Sequence, residues 1–146
     1  MVTEKFLSDV IARSQSMAIM MRQMVAGSFC LLVEDINEYA PVERLLAAYH
    51  TDYRIARTVE DVISTLTEDA DKVICVVLDL HFGKDLGEEV IQEVERINQK
   101  IPIICHTPMT ELGSGVKERY PRVNVVLKGD SMYDLISALG LSPTGV

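Results

Sequence analysis

The chain has 146 residues, 48% of them apolar and 25% charged, which suits one domain with its own core. A net charge of −8 and few aromatic residues argue against a basic, base-stacking surface for nucleic acid. No apolar run approaches the ~18–20 residues of a membrane span, and Asp9, Arg13 and Arg22 interrupt the amino terminus as a signal peptide.

Taken in order, residues 3–25 have a helical pattern. Leu7, Val10, Ile11, Met17, Met21 and Met24 recur at spacings of three and four, interrupted by Ser14, and Gly27 supplies a stop. The stripe has two readings. It packs on its own domain as an extra helix, or it forms a seam for a homodimer or another partner, since methionine-rich surfaces adapt to partners.

Beyond Gly27 the pattern alternates. Residues 29–35 (FCLLVED) read as a buried strand, and Val42, Leu45, Leu46 and Tyr49 mark a helix. A weaker strand at 51–57 precedes a helix marked by Val59, Val62, Ile63 and Leu66. Strand 73–80 (VICVVLDL) leads to a helix marked by Val90, Ile91, Val94 and Ile97. Strand 101–107 (IPIICHT) precedes a poor helix at 109–118, weakened by Gly113 and Gly115. Strand 123–129 (VNVVLKG) and a helix marked by Met132, Leu135, Ile136 and Leu139 complete the chain. Continuous apolar strands alternating with helices predict an α/β fold. It is a doubly wound, five-stranded parallel sheet in the order 2-1-3-4-5, plus an amino-terminal helix.

In that order, ligands bind at the carboxyl ends of strands one and three, where the strand order reverses. Strand one ends in Glu34-Asp35 and strand three at Asp79, so three carboxylates converge. Like charges this close call for a cation, and oxygen ligands at a sheet mouth suit Mg²⁺. Thr107 and Lys128 end strands four and five and add a hydroxyl and an ammonium. Such a set suits a metal-bound anion, and phosphoryl is the obvious candidate, with a carboxylate as its acceptor.

These residues resemble the receiver domain of two-component response regulators, a flavodoxin-like fold. The resemblance covers residues 29–140 and rests on LLVED, VVLDL, Gly87 eight residues after Asp79, IPIICHT and VLKG, in the family's order and spacing. It implies that Asp79 accepts a phosphoryl group from a phosphohistidine on a sensor histidine kinase or phosphotransfer protein. It also implies that Asp35 ligates Mg²⁺, that Glu34 helps through water, and that Asp79 and the backbone carbonyl of His81 complete the metal set. Thr107 would swing toward the phosphoryl group, and Lys128 would pair with Asp79 and then with the phosphoryl. The implied organisation is an amphipathic helix at 1–27, a receiver at 28–141 and a tail at 142–146. The protein would then be a stand-alone cytoplasmic relay acting through protein contacts, with no nucleic-acid or membrane partner. Its chemistry would be at most phosphoryl acceptance with slow self-dephosphorylation, not metabolic catalysis.

Some residues depart from the family pattern. Gly129 stands where proline usually follows the lysine, and Val125 where an aromatic switch is common. Gly83 replaces a frequent proline, and Pro108 follows Thr107 and should shorten or distort the next helix. These departures lie near the usual signalling face. They motivate an alternative, a pseudo-receiver that binds or dimerises without phosphorylation. An aspartyl-nucleophile phosphatase would need a second aspartate where His81 stands, and no phosphate loop for a flavin or nucleotide is present. His106 reads as a packed histidine, and His50 as helix-end surface. Cys30, Cys75 and Cys105 lack metal spacing and read as small buried hydrophobes of a reducing compartment.

Overall fold

The chain forms six α-helices, one short 3-10 helix (Ala70–Lys72) and five strands among the residues that the structure, a computed structural model, describes: 3–34, 41–79, 84–107, 110–127 and 132–141. In order they are α1 (Glu4–Gln23), β1 (Phe29–Glu34), α2 (Pro41–Ala48), β2 (Tyr53–Ala56), α3 (Val59–Asp69), β3 (Val73–Asp79), α4 (Lys84–Ile97), β4 (Ile103–Thr107), α5 (Thr110–Arg119), β5 (Asn124–Leu127) and α6 (Tyr133–Ala138). Every strand pairing is parallel and the order is β2-β1-β3-β4-β5, as expected from the sequence. The apolar runs explain this arrangement. All six residues of β1 and all five of β4 are buried, so both faces of the central strands need cover.

Two cores result. On one face Leu31, Val33, Val76 and Leu78 meet Val62 and Leu66 of α3, Val90, Ile91 and Val94 of α4, and Val116 of α5. On the other Leu32, Val77 and Ile104 meet Val42 and Leu46 of α2, Leu135 of α6 and Ile19 of α1. Between the Phe29↔Val73 and Leu31↔Val76 pairs, β3 carries one more residue than β1. This bulge puts the consecutive residues Ile74 and Cys75 into the same core. There Cys75 Sγ lies 3.8 Å from Cys30 Sγ. All three cysteines are free and buried, as the sequence suggested. The neighbouring Cys30 and desolvation push the Cys75 thiol well above its ordinary value, against a smaller opposing pull from Arg22.

Local chemistry sets the helix limits. Thr3 and Thr58 cap α1 and α3, their hydroxyls accepting the amides of Phe6 and Asp61 at 3.1 Å. Two helices end in the same left-handed turn: α2 at His50 (φ 55°) and α6 at Gly140 (φ 65°). In each, the amide after the turn residue bonds back five residues, Thr51 to the Leu46 carbonyl and Leu141 to the Ile136 carbonyl.

One expectation is corrected, and one open reading is narrowed. Helix α5 is a continuous ten-residue helix, not a short or irregular one. Tertiary contacts outweigh its glycines. Val116 is buried, Arg119 pairs with Glu88 of α4, and Gln92 of α4 donates to the Tyr120 hydroxyl at 2.9 Å. The open reading concerns α1. Its methionine stripe does not face its own domain; Met17, Met21 and Met24 are 64%, 68% and 86% exposed. Among its described side chains, the helix docks through a different and mostly polar set. Ile19 is buried, Arg22 Nη1 donates to the Val73 carbonyl at 2.8 Å and the Ala70 carbonyl at 3.2 Å, and Gln23 donates to the Leu139 carbonyl at 3.3 Å. Gln15 donates to the Arg122 carbonyl. These carbonyls belong to the segments that enter β3 and β5 and leave α6, so α1 crosses the floor of the sheet, where its strands begin. Toward its amino-terminal half, Val10, Ser14 and Ala18 form one wall of a cleft of about 230 Å³ against Ile101 and Val123.

Candidate functional site

The candidate site lies at the opposite end of the sheet. Parallel register aligns the last strand residues in a row. Glu34 of β1 is paired with Asp79 of β3, Asp79 with His106 of β4, and Thr107 of β4 with Leu127, the last residue of β5. The apolar lengths of the strands cause this alignment, because burial forces each strand to run until its first polar residue. Glu34 and Asp79 therefore share one strand reversal point, where the connections from β1 and β3 leave for opposite faces.

Glu34 is almost fully buried, at 2% exposure. A buried carboxylate needs a partner. Arg57, immediately after β2, supplies a positive charge, its Nη1 lying 3.8 Å from Glu34 Oε2. That separation exceeds a hydrogen bond, so the attraction is Coulombic. The half-buried Tyr53 of β2 also feels Glu34, together with Glu43 of α2. Desolvation first, then the charge of and hydrogen bond to Glu43, then the charge of Glu34 raise its phenol pKa. Thr107 and His106 are buried at the end of β4. The packed reading of His106 holds, but its register neighbour is Asp79.

Of the residues singled out from the sequence, the fold brings Glu34, the backbone of Asp79 and Thr107 to one edge. Asp35, His81 and Lys128, with the departures at Gly83, Pro108 and Gly129, lie outside the described residues. Val125 is partly buried against the core of α3, α4 and α5. Among the described residues, no three potential metal-ligating side chains gather around one point. Sequence reasoning missed Arg57. Its signal was the pairing of β1 with β2, which sets Val33 against Ala56 and so makes Arg57 the next residue beside Glu34.

The donor chemistry at this edge is compatible with a hard divalent cation. Glu34 offers a carboxylate, and its burial next to Arg57 means that the fold already seats a positive charge there. A ligand set for such a cation would need Asp35, the Asp79 carboxylate and the His81 carbonyl in addition. No helix among the described residues is long and apolar enough to cross a membrane.

The same architecture occurs in solved structures. A crystal structure of a response regulator receiver domain protein from Clostridium thermocellum matches with a TM-score of 0.63, at 18% identity, over 76% of this chain and 90% of that one. A de novo designed Rossmann 2x3 fold protein, solved by NMR in solution, matches with a TM-score of 0.60, at 14% identity, over 80% and 93%. The chain therefore has a receiver-like, Rossmann-type fold. At these identities the likeness concerns the arrangement of strands and helices alone. No family model matches the chain, and no curated protein matches its sequence.

Proposed function

We propose that this chain is a receiver that takes a phosphoryl group onto Asp79 from the phosphohistidine of a sensor histidine kinase or phosphotransfer protein, and then signals through protein contacts. The observation that supports this reading is the register at the carboxyl edge, where Asp79 sits between Glu34 and the end of β4. In the transfer, an Asp79 carboxylate oxygen bonds to phosphorus as the phosphorus–nitrogen bond of the donor breaks. The electron pair stays on the imidazole nitrogen, which takes up a proton. Asp35, Asp79 and the His81 carbonyl would hold Mg²⁺, with Glu34 acting through water. Bound there, Mg²⁺ supplies neutralisation of the charge on the phosphoryl oxygens. Lys128 would pair with one of those oxygens, and the Thr107 hydroxyl would donate to another.

The test is incubation with Mg²⁺ and a small phosphodonor, read by intact mass. Wild type should gain one phosphoryl group, Asp79→Asn should gain none, and chelation should abolish the gain. A wild-type chain that stays unmodified, or an Asp79→Asn variant that is modified equally, sinks the reading.

A further inference from the structure

Helix α1 has two faces of different character. One holds the floor of the sheet through Ile19 and three polar side chains. On the other, Phe6, Val10, Arg13, Met17, Met20 and Met24 succeed one another at steps of four, three, four, three and four. That is the a/d spacing of a coiled-coil seam, sustained over nearly three heptads. All six are exposed, and Met21 beside them is as well. At ~100° per residue, the seam centres about 140° around the helix from Ile19. A partner on the seam would leave the anchor undisturbed.

We infer that α1 pairs, antiparallel, with α1 of a second copy of this chain through the Phe6–Met24 seam. Three observations select this occupant. Heptad spacing fits another helix of the same period, and a second copy supplies one. The exposed apolar side chains of α1 present on the order of 800 Å², the share of one partner in a standard interface and more than a monomer ordinarily exposes. Charge disfavours a lipid surface. The chain carries −8 overall, and Arg13 is the only cation in the seam, whereas interfacial helices carry many. Arg13 also sets the orientation. A parallel pair would stack two Arg13 guanidinium groups in one layer. An antiparallel pair separates them and lays each stem along methionines of the other helix. The two domains then lie on outer sides of the helix pair, held off by their Ile19 faces.

Sedimentation equilibrium of the full chain from low to high micromolar concentration tests the pairing. Wild type should have the mass of two chains. Met17→Glu combined with Met20→Glu should be monomeric, weakening association by roughly 100-fold or more. Its thermal melt at low concentration should match wild type, because both side chains face away from their own domain. A nitroxide on Met24→Cys reports the order of the helices; the native cysteines are buried and stay unlabelled. The antiparallel pair puts the two labels roughly 25 Å apart, from a rise of 1.5 Å per residue. A wild-type monomer, a dimer that survives both glutamates, a label distance of roughly 10–15 Å, or a monomer that instead binds phosphatidylglycerol vesicles would each overturn the proposal.

Discussion

At the carboxyl edge the central strands stop on Glu34, Asp79 and Thr107, and the charge that meets Glu34, Arg57, comes from the neighbouring strand end. At the floor the entering segments expose carbonyls, and the groups that meet them, from Gln15, Arg22 and Gln23, all come from one added helix. The edge holds Glu34, an acid whose burial is costly without a cation. The floor satisfies backbone carbonyls with donors, and its acid Asp71 is met by the charge of Arg22. The proposed chemistry belongs to one end of the sheet, and an added helix closes the other. Perturbing each should read out differently.

The largest expected stability effect is at the floor. Arg22→Ala removes two charge-assisted bonds to the Ala70 and Val73 carbonyls. The cost should be about 2 kcal/mol, or a fall in Tm of roughly 5 °C in a thermal melt. Phosphoryl uptake, read by mass, should be unchanged. Loss of uptake together with stability would mean that the two ends are not separable.

A smaller effect should appear in alkali. The Cys75 thiol is held above its ordinary value, chiefly by Cys30 and burial. The folded chain therefore keeps a proton that the unfolded chain loses. This contribution is fully present below the ordinary thiol range and is lost as pH rises through the folded value. Melting temperature should drop on raising pH above that ordinary range, and Cys75→Val should flatten the drop. An equal drop in both proteins would assign it to other groups.

The smallest stability effect should come from Arg57→Gln at the edge. Arg57 is 38% exposed and its pairing with Glu34 is long, so the loss should be under about 1 kcal/mol. Removing a competing cation should tighten Mg²⁺ binding several-fold by calorimetry. An unchanged affinity would place Glu34 outside the metal's reach.

Much of this was legible in the sequence. VICVVLD is too apolar and β-branched to be anything but an inner strand, and it carries Asp79 to the edge wherever it starts. The strand order followed from alternation, and strand ends erred by a few residues because the flanking polar positions carry no period. Two features were hidden for a physical reason. Periodicity counts apolar side chains, so it selected the methionines of α1 and passed over Gln15, Arg22 and Gln23, which bind carbonyls. Likewise, Arg57 has no motif. It meets Glu34 only through the β1–β2 register, a relation between segments some twenty residues apart.

Among the described side chains of α1 only Ile19 is buried, while β1 and β4 are buried along their full length. Its release would uncover carbonyls that water can solvate, at a cost well below that of opening the sheet. Amide exchange should therefore sort the chain into two clocks. The amides of α1 would exchange early and together, and those of β1, β3 and β4 only on global unfolding. The floor would come and go many times during the life of one intact acid edge.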